Sequence, residues 1–178
     1  MKLEIERRWL IKLPLSEEAL DALDEEGEVP TRITQTYLTS ADGEVKRVRF
    51  VETDIWGVKF SHFIQTVKKV VEVGVNEETE QSLDEDAYKE ALASADPERQ
   101  TIDKTRYHLH LGKDLFVLDM FHGAQEGLAI LELELATVDR LKEEIELPSY
   151  LDVEREITSE PGYSNYSLAK KQAKNEVR

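Results

Sequence analysis

The stretch that decides the fold is "LEIERRWLI", residues 3–11. As a β-strand it places Glu4, Glu6 and Arg8 on one face and Leu3, Ile5, Arg7 and Trp9 on the other, because successive side chains point to opposite sides. Glu4 and Glu6 then share a face with like charge. What lies opposite them decides whether that face meets water.

The same parity recurs down the chain. Arg47 and Arg49 align in "VKRVRFV", Lys68 lies beside Thr66, and Glu78 and Glu80 align in "NEETEQS". Lys104 and Arg106 align in "IDKTRYHL", Asp119 stands opposite Phe116, Leu118 and Met120, and Glu132 and Glu134 are backed by Leu131, Leu133 and Leu135. In "DVEREIT", Glu154 and Glu156 align against Val153 and Ile157. An antiparallel sheet with one wet face accounts for any one of these strands. Sorted like-charge pairs on so many strands are less ordinary, because solvated faces usually pair opposite charges across strands. The other account is a closed barrel with a charged, wet lumen and its apolar side turned outward against helices.

Strands are expected at about 2–12, 33–39, 44–52, 59–71, 77–83, 102–111, 115–121, 128–136 and 153–158. Asp42-Gly43 marks one hairpin turn and Gly112 to Asp114 another. Helices are expected from Ser16 to Glu26 with Leu20 and Leu23 inward, from Asp84 to about Ala95, from Thr137 to about Glu146, and from Ser164 to about Glu176. The fold class is thus mostly antiparallel β with a few helices, in one domain spanning residues 1–178.

The formal net charge of −15 argues against nucleic acid or an anionic membrane as partner. No apolar run is long enough to span a bilayer and no signal-peptide pattern opens the chain, so the cytoplasm is expected. The absence of cysteine excludes disulfides, thiol nucleophiles and Cys-ligated zinc. Phosphate-loop and dinucleotide-binding glycine motifs are missing as well. His108 and His110 lie on the Arg106 face and read as barrel-end or solvent positions rather than metal ligands.

A barrel lumen would hold nine acids and six bases among the aligned residues. A hard divalent cation, Mg²⁺ or Mn²⁺, offsets that excess through oxygen ligands, and the sorted bases suit a small phosphate-bearing anion. Trp9, Phe50, Tyr107 and Phe116 all fall on the opposite parity, which leaves Tyr163, Tyr166 and unassigned loops as stacking surfaces at an entrance.

The blocks "EIERRWL", "VKRVRF", "TVK", "ETE", "KTRY", "LDMF", "LELEL", "EREIT" and "YSNYSLA" resemble, in order, those of the CYTH superfamily, the triphosphate tunnel metalloenzymes. The resemblance implies a closed eight-stranded antiparallel barrel and hydrolysis of a triphosphate with Mg²⁺ or Mn²⁺. It implies metal ligands among Glu4, Glu6, Glu132, Glu134 and Glu156, and phosphate contacts from Arg8, Arg47, Arg49, Lys68, Lys104 and Arg106. Catalytic candidates are Glu4, Glu6, Arg8, Glu78, Glu80 and Asp119, and Glu154 is a further lumen candidate. Arg8 stands where the family carries Lys, Val117 where many relatives carry an acid, and Gly162 where an Arg often precedes the Tyr-x-Asn block.

Inorganic triphosphate is the expected substrate. An adenylyl cyclase and a non-catalytic polyphosphate binder are the alternatives, with a homodimer left open.

Overall fold

The computed structural model describes residues 2–25 and 29–171. Nine strands form one antiparallel sheet: β1 (Lys2–Ile11), β2 (Thr31–Leu38), β3 (Val45–Ile55), β4 (Val58–Glu72), β5 (Val75–Leu83), β6 (Ile102–Leu111), β7 (Asp114–Phe121), β8 (Ala129–Glu134) and β9 (Val153–Glu156). Neighbours run β5-β4-β3-β2-β6-β7-β8-β1, and the β5–β1 pairing closes these eight into a barrel. Closure removes the exposed edges of an open sheet.

The ring closes through a division of labour along β1. Its first half, Lys2 to Ile5, pairs with Glu78 to Val75 of β5. Its second half, Trp9 to Ile11, pairs with β9 instead. At the changeover the Glu6 N–H donates to the Gly74 carbonyl at 2.9 Å. Gly74 has φ +75°, and a Cβ there would meet the Glu6 carbonyl oxygen at 2.9 Å, so this close approach admits only glycine.

Cross-strand partners share a face, so the register fixes what points inward. Glu6 faces Glu134, Arg8 faces Glu132, Arg106 faces Asp119, and Lys68 faces Glu78. The outward set of Ile5, Trp9, Leu109, Phe116, Leu118, Leu131 and Leu133 packs under α1 (Glu17–Glu25) and the segment carrying Leu141, Ile145 and Leu147. On the far side, α2 (Glu85–Leu92) is capped by Asp84, whose carboxylate accepts from the Ala87 N–H at 2.8 Å, and lays Tyr88 on Phe63. Among the described residues, no helix is long and apolar enough to cross a membrane.

Several expectations need correction. The segment expected as a helix from Thr137 to Glu146 contains only a 3-10 turn over Val138–Lys142. Arg140 is tied to Asp114 by two hydrogen bonds of 2.8 and 3.0 Å, and the rest of the segment drapes its apolar side chains over the barrel. Leu20 is half exposed, while Ala19 and Leu23, four apart, bury α1. The last helix, α3, spans only Asn165–Leu168, because Ala169 and Lys170 pair with Gln100 and Arg99; residues 172–176 of the expected helix lie outside the described residues.

The lumen is also not charged throughout. Leu10, Tyr37, Ile102, Phe121, Ile130 and Ile157 form a second buried cluster with Tyr163, Tyr166 and Leu168 packed against it. Leu10, Ile130, Ile102 and Phe121 share the inward parity of Arg8, Glu132, Lys104 and Asp119. One stretch of the barrel interior is therefore a conventional apolar core, and the charges line the remainder.

Candidate functional site

The charged stretch encloses a cavity of about 900 Å³. β1 contributes Glu4, Glu6 and Arg8, β3 Arg47 and Arg49, β4 Lys68, β5 Glu78 and Glu80, β6 Lys104 and Arg106, and β8 Glu132 and Glu134. Sequence parity thus brings together all the expected phosphate contacts and four of the five expected metal ligands. Each is carried on a paired strand, a rigid support for a binding constellation.

Three acids fall elsewhere. Glu156 pairs with Trp9 and lies on its outward side, where Arg7 donates to it through Nε and Nη2 at 2.9 and 2.8 Å. Glu154 sits at a register shift in β9, exposed beside Arg155. β9 lies outside the eight-strand ring, and Ile157, the residue that follows it, packs into the inner apolar cluster while the acids of β9 do not. Asp119 does point inward, but it is fully buried behind the lining. It accepts from Lys104 Nζ at 2.6 Å and from Arg106 Nε and Nη2 at 2.7 and 2.8 Å.

Lys2 was missed by the sequence reading, although its parity with Glu4 and Glu6 identifies it. Its ammonium meets Glu134 at 2.5 Å. With Lys2 and the rim residue Glu72 included, the lining carries seven acids and seven bases, so the expected excess of acid is absent.

The acids nevertheless differ sharply from one another. Glu6 is pushed up to about 7, first by burial and then by the repulsion of Glu132, with Glu4 adding to it. Its nearest cation is Arg8 at 3.7 Å. Burial and Glu4 likewise raise Glu78, whose buried Oε2 makes no hydrogen bond. Burial also acts to raise Glu4, but its ion pair with Lys68 outweighs burial and holds it below its ordinary value. Among the described residues, no three acidic or histidine side chains stand together as a ready-made metal cage.

The bases are poised for an anion. Arg49 donates to Thr66 Oγ1 at 3.1 Å and pairs with Glu80, while Arg47 reaches Gln35 at 3.3 Å. The Nε–H groups of both arginines are buried without a hydrogen-bond partner. Burial and the neighbouring Arg47 lower Arg49 to about 10, and burial lowers Lys104 to about 8 against the attraction of Asp119. A buried cation with an orphaned donor is stabilised by any oxyanion that reaches it.

No family model matches the chain, and no curated protein sequence matches it. Solved structures do. The inorganic triphosphatase NE1496 is 24% identical with a TM-score of 0.58, covering 97% of this chain and 97% of that one. The PH1819 protein from Pyrococcus horikoshii OT3 is 21% identical with a TM-score of 0.56, covering 78% and 81% respectively. HpAC1 from Hippeastrum, an adenylyl cyclase candidate described with a dominant triphosphatase activity, is 16% identical with a TM-score of 0.51 over 80% and 83%. The chain shares the fold of these solved structures, a closed antiparallel β-barrel.

Proposed function

We propose that the chain is a metal-dependent triphosphatase whose best substrate is inorganic triphosphate. The observation that carries this reading is the pair of arginines, Arg47 and Arg49, whose Nε–H groups are buried and unpartnered in a cavity lined with charge. Arg8, Lys68, Lys104 and Arg106 supply further cationic groups on the same lining. Phosphoryl transfer is chiefly positioning and charge stabilisation, and these groups supply both.

The carboxylates fit a hard divalent cation. Glu4, Glu6, Glu132 and Glu134 offer only oxygen donors, and Glu6, raised by burial and then by its acidic neighbours, is the one most relieved by a positive charge. Mg²⁺ or Mn²⁺ bound there would neutralise phosphate oxygens and make water a better nucleophile. Glu156 leaves this set because Arg7 holds it outside. Arg8 presents a planar guanidinium fork, which suits it to orienting phosphate. Asp119 sets the positions of Lys104 and Arg106 through the contacts described above.

Two tyrosines border the cavity: Tyr166, one of the expected entrance candidates, and Tyr37, which the sequence reading did not assign. Tyr37 and Tyr166 meet edge to face at 5.2 Å, Tyr37 is 2% exposed, and the Arg99 guanidinium covers the Tyr166 ring at 3.3 Å. Their faces are already used, so they offer no platform for a nucleobase or thiazole ring. Exposed Val70 and Val73 at the rim are the feature that favours an organic head group, hence the second reading of an organic-triphosphate hydrolase or cyclase.

Orthophosphate release from inorganic triphosphate, ATP and thiamine triphosphate under one metal condition separates these readings. Catalytic efficiency should be highest on inorganic triphosphate, fall to background in EDTA and return with Mg²⁺ or Mn²⁺. Preference for an organic triphosphate, cyclic AMP among the products, or full turnover in chelator would overturn the proposal.

Arg49→Ala should weaken triphosphate binding by about ten- to a hundredfold, the loss of one charge-assisted contact worth about 1.5–3 kcal/mol. An unchanged KM and kcat would remove Arg49 from the substrate site. Arg106→Ala is a less clean test, because Arg106 also holds the buried Asp119.

A further inference from the structure

Glu4, one of the carboxylates assigned to the metal, is already in use. Lys68 Nζ forms an ion pair with Glu4 Oε2 and lies 3.5 Å from Glu78 Oε2. The side chains of Lys68, Glu4 and Glu78 are only 21%, 19% and 13% exposed, so this trio is far less screened than the Lys2–Glu134 pair at 73% and 54%. Burial disfavours the Lys68 charge, but the attraction of Glu6 and then Glu4 holds it protonated, while Arg47 repels it.

The balance around Lys68 has two stable arrangements. On Glu4, it is neutralised by carboxylate. Once Glu4 and Glu6 are both taken by another cation, Lys68 is left sharing Glu78 with Arg47, and an anion restores the balance. Lysine is suited to such an exchange because its ammonium is a compact charge on a flexible stem, unlike the planar arginine fork. Arg47 and Arg49 have no comparable freedom, each being tied to polar neighbours on adjacent strands.

We propose that Lys68 is the tunnel's own counter-cation to Glu4, and that it yields Glu4 to a divalent cation and passes to the substrate phosphates. This inference rests on the metal-dependent reading above. It makes metal and anion binding mutually reinforcing, because each ligand removes the partner that the other would leave unbalanced, and such coupling is reciprocal.

Lys68→Gln tests it by a binding measurement that needs no turnover. Free Mn²⁺ is followed by electron paramagnetic resonance in titrations of the full chain, with and without sulfate as the anion. Removing the competing ammonium should tighten Mn²⁺ binding by about five- to fiftyfold without sulfate, within the usual range of coupling between sites. Sulfate should tighten Mn²⁺ binding to the unaltered chain and have little effect on Lys68→Gln. Mn²⁺ binding that is equal or weaker in Lys68→Gln, yet lost in Glu6→Gln, overturns the exchange and leaves the metal site standing. An unaltered chain that shows no Mn²⁺ binding sensitive to Glu6→Gln overturns the metal site and the exchange together. A second measurement uses only the unaltered chain, in case Lys68→Gln does not fold. The ¹⁵N-detected Lys68 ammonium resonance should shift on adding Mg²⁺, and a resonance that stays in place rejects the exchange.

Discussion

Glu6→Gln should abolish the proposed triphosphate hydrolysis and, in chelating buffer at pH 8, should raise the melting temperature. The two effects have one cause. Glu6 is buried against Glu132 and Glu4, and the attraction of Lys68 and of Arg8, at 3.7 Å, does not offset this, so it is the carboxylate that the fold tolerates least and a metal relieves most. Losing it should cost activity about a hundredfold or more, since a metal supplies several kcal/mol of charge stabilisation in such reactions.

The stability effect has a definite sign. A carboxyl raised from 4.5 to about 7 binds more protons in the folded than in the unfolded chain between those values. Its penalty is absent below the lower value, grows as pH rises, and is complete above the upper one. Glutamine carries no such penalty, so the variant should be more stable at pH 8 by about 2–3 kcal/mol and indistinguishable near pH 4. For a chain of this size that is roughly 4–10 °C. Thermal unfolding of both proteins in EDTA across pH 4 to 8 checks it. A variant that melts lower at pH 8 marks Glu6 as a structural acid and removes it from the metal site.

Much of this site is legible in the alternation of the strands. Glu4, Glu6 and Arg8 share a face in any extended reading of residues 3–11, and so do Arg47 with Arg49 and Lys104 with Arg106; the register confirms all of these as inward. Parity names two faces but does not say how far along the barrel the inner one stays wet. Leu10 continues the Glu4–Arg8 face directly into the inner apolar cluster, and Ile102 does the same below Lys104. Nor does parity say which face is inner for a strand outside the ring. β9 adds to β1 across a register shift at Glu154, and pairing Glu156 with Trp9 turns its acid outward. The segment after β8, where a helix is expected over Thr137 to about Glu146, is not one. It lies as a draped chain because Arg140 is pinned to Asp114 and its apolar residues spread over the barrel wall.

Depth is the other quantity that alternation leaves undetermined, and Asp119→Asn exposes it. Asp119 shares inward parity with the acids of the lining, yet it is 0% exposed and holds two cations, Lys104 at 2.6 Å and Arg106 through both oxygens. Burial acts to raise this carboxyl, but Arg106 and Lys104 overcome it and hold the group well below the ordinary carboxylate range. Removing one partner of a buried ion cluster leaves the others uncompensated and costs about 3–5 kcal/mol. Asp119→Asn should therefore melt roughly ten degrees lower at neutral pH, opposite in sign to Glu6→Gln. A depressed carboxyl stabilises above its unfolded value of 3.8 and loses that contribution as pH falls toward its folded value, so the gap between the two proteins should narrow below about pH 4. Function changes by a different route. Lys104, already lowered to about 8, loses its main source of attraction and titrates lower still. Anion affinity in the variant should begin to fall at a lower pH than in the unaltered chain, whereas Mn²⁺ affinity at neutral pH stays within a few fold. Sulfate and Mn²⁺ titrations across pH 6 to 9, with melting curves on the same samples, read all three quantities. An unchanged melting temperature together with lost Mn²⁺ binding would make Asp119 a metal ligand, not the buried brace that sets Lys104 and Arg106 against the phosphates.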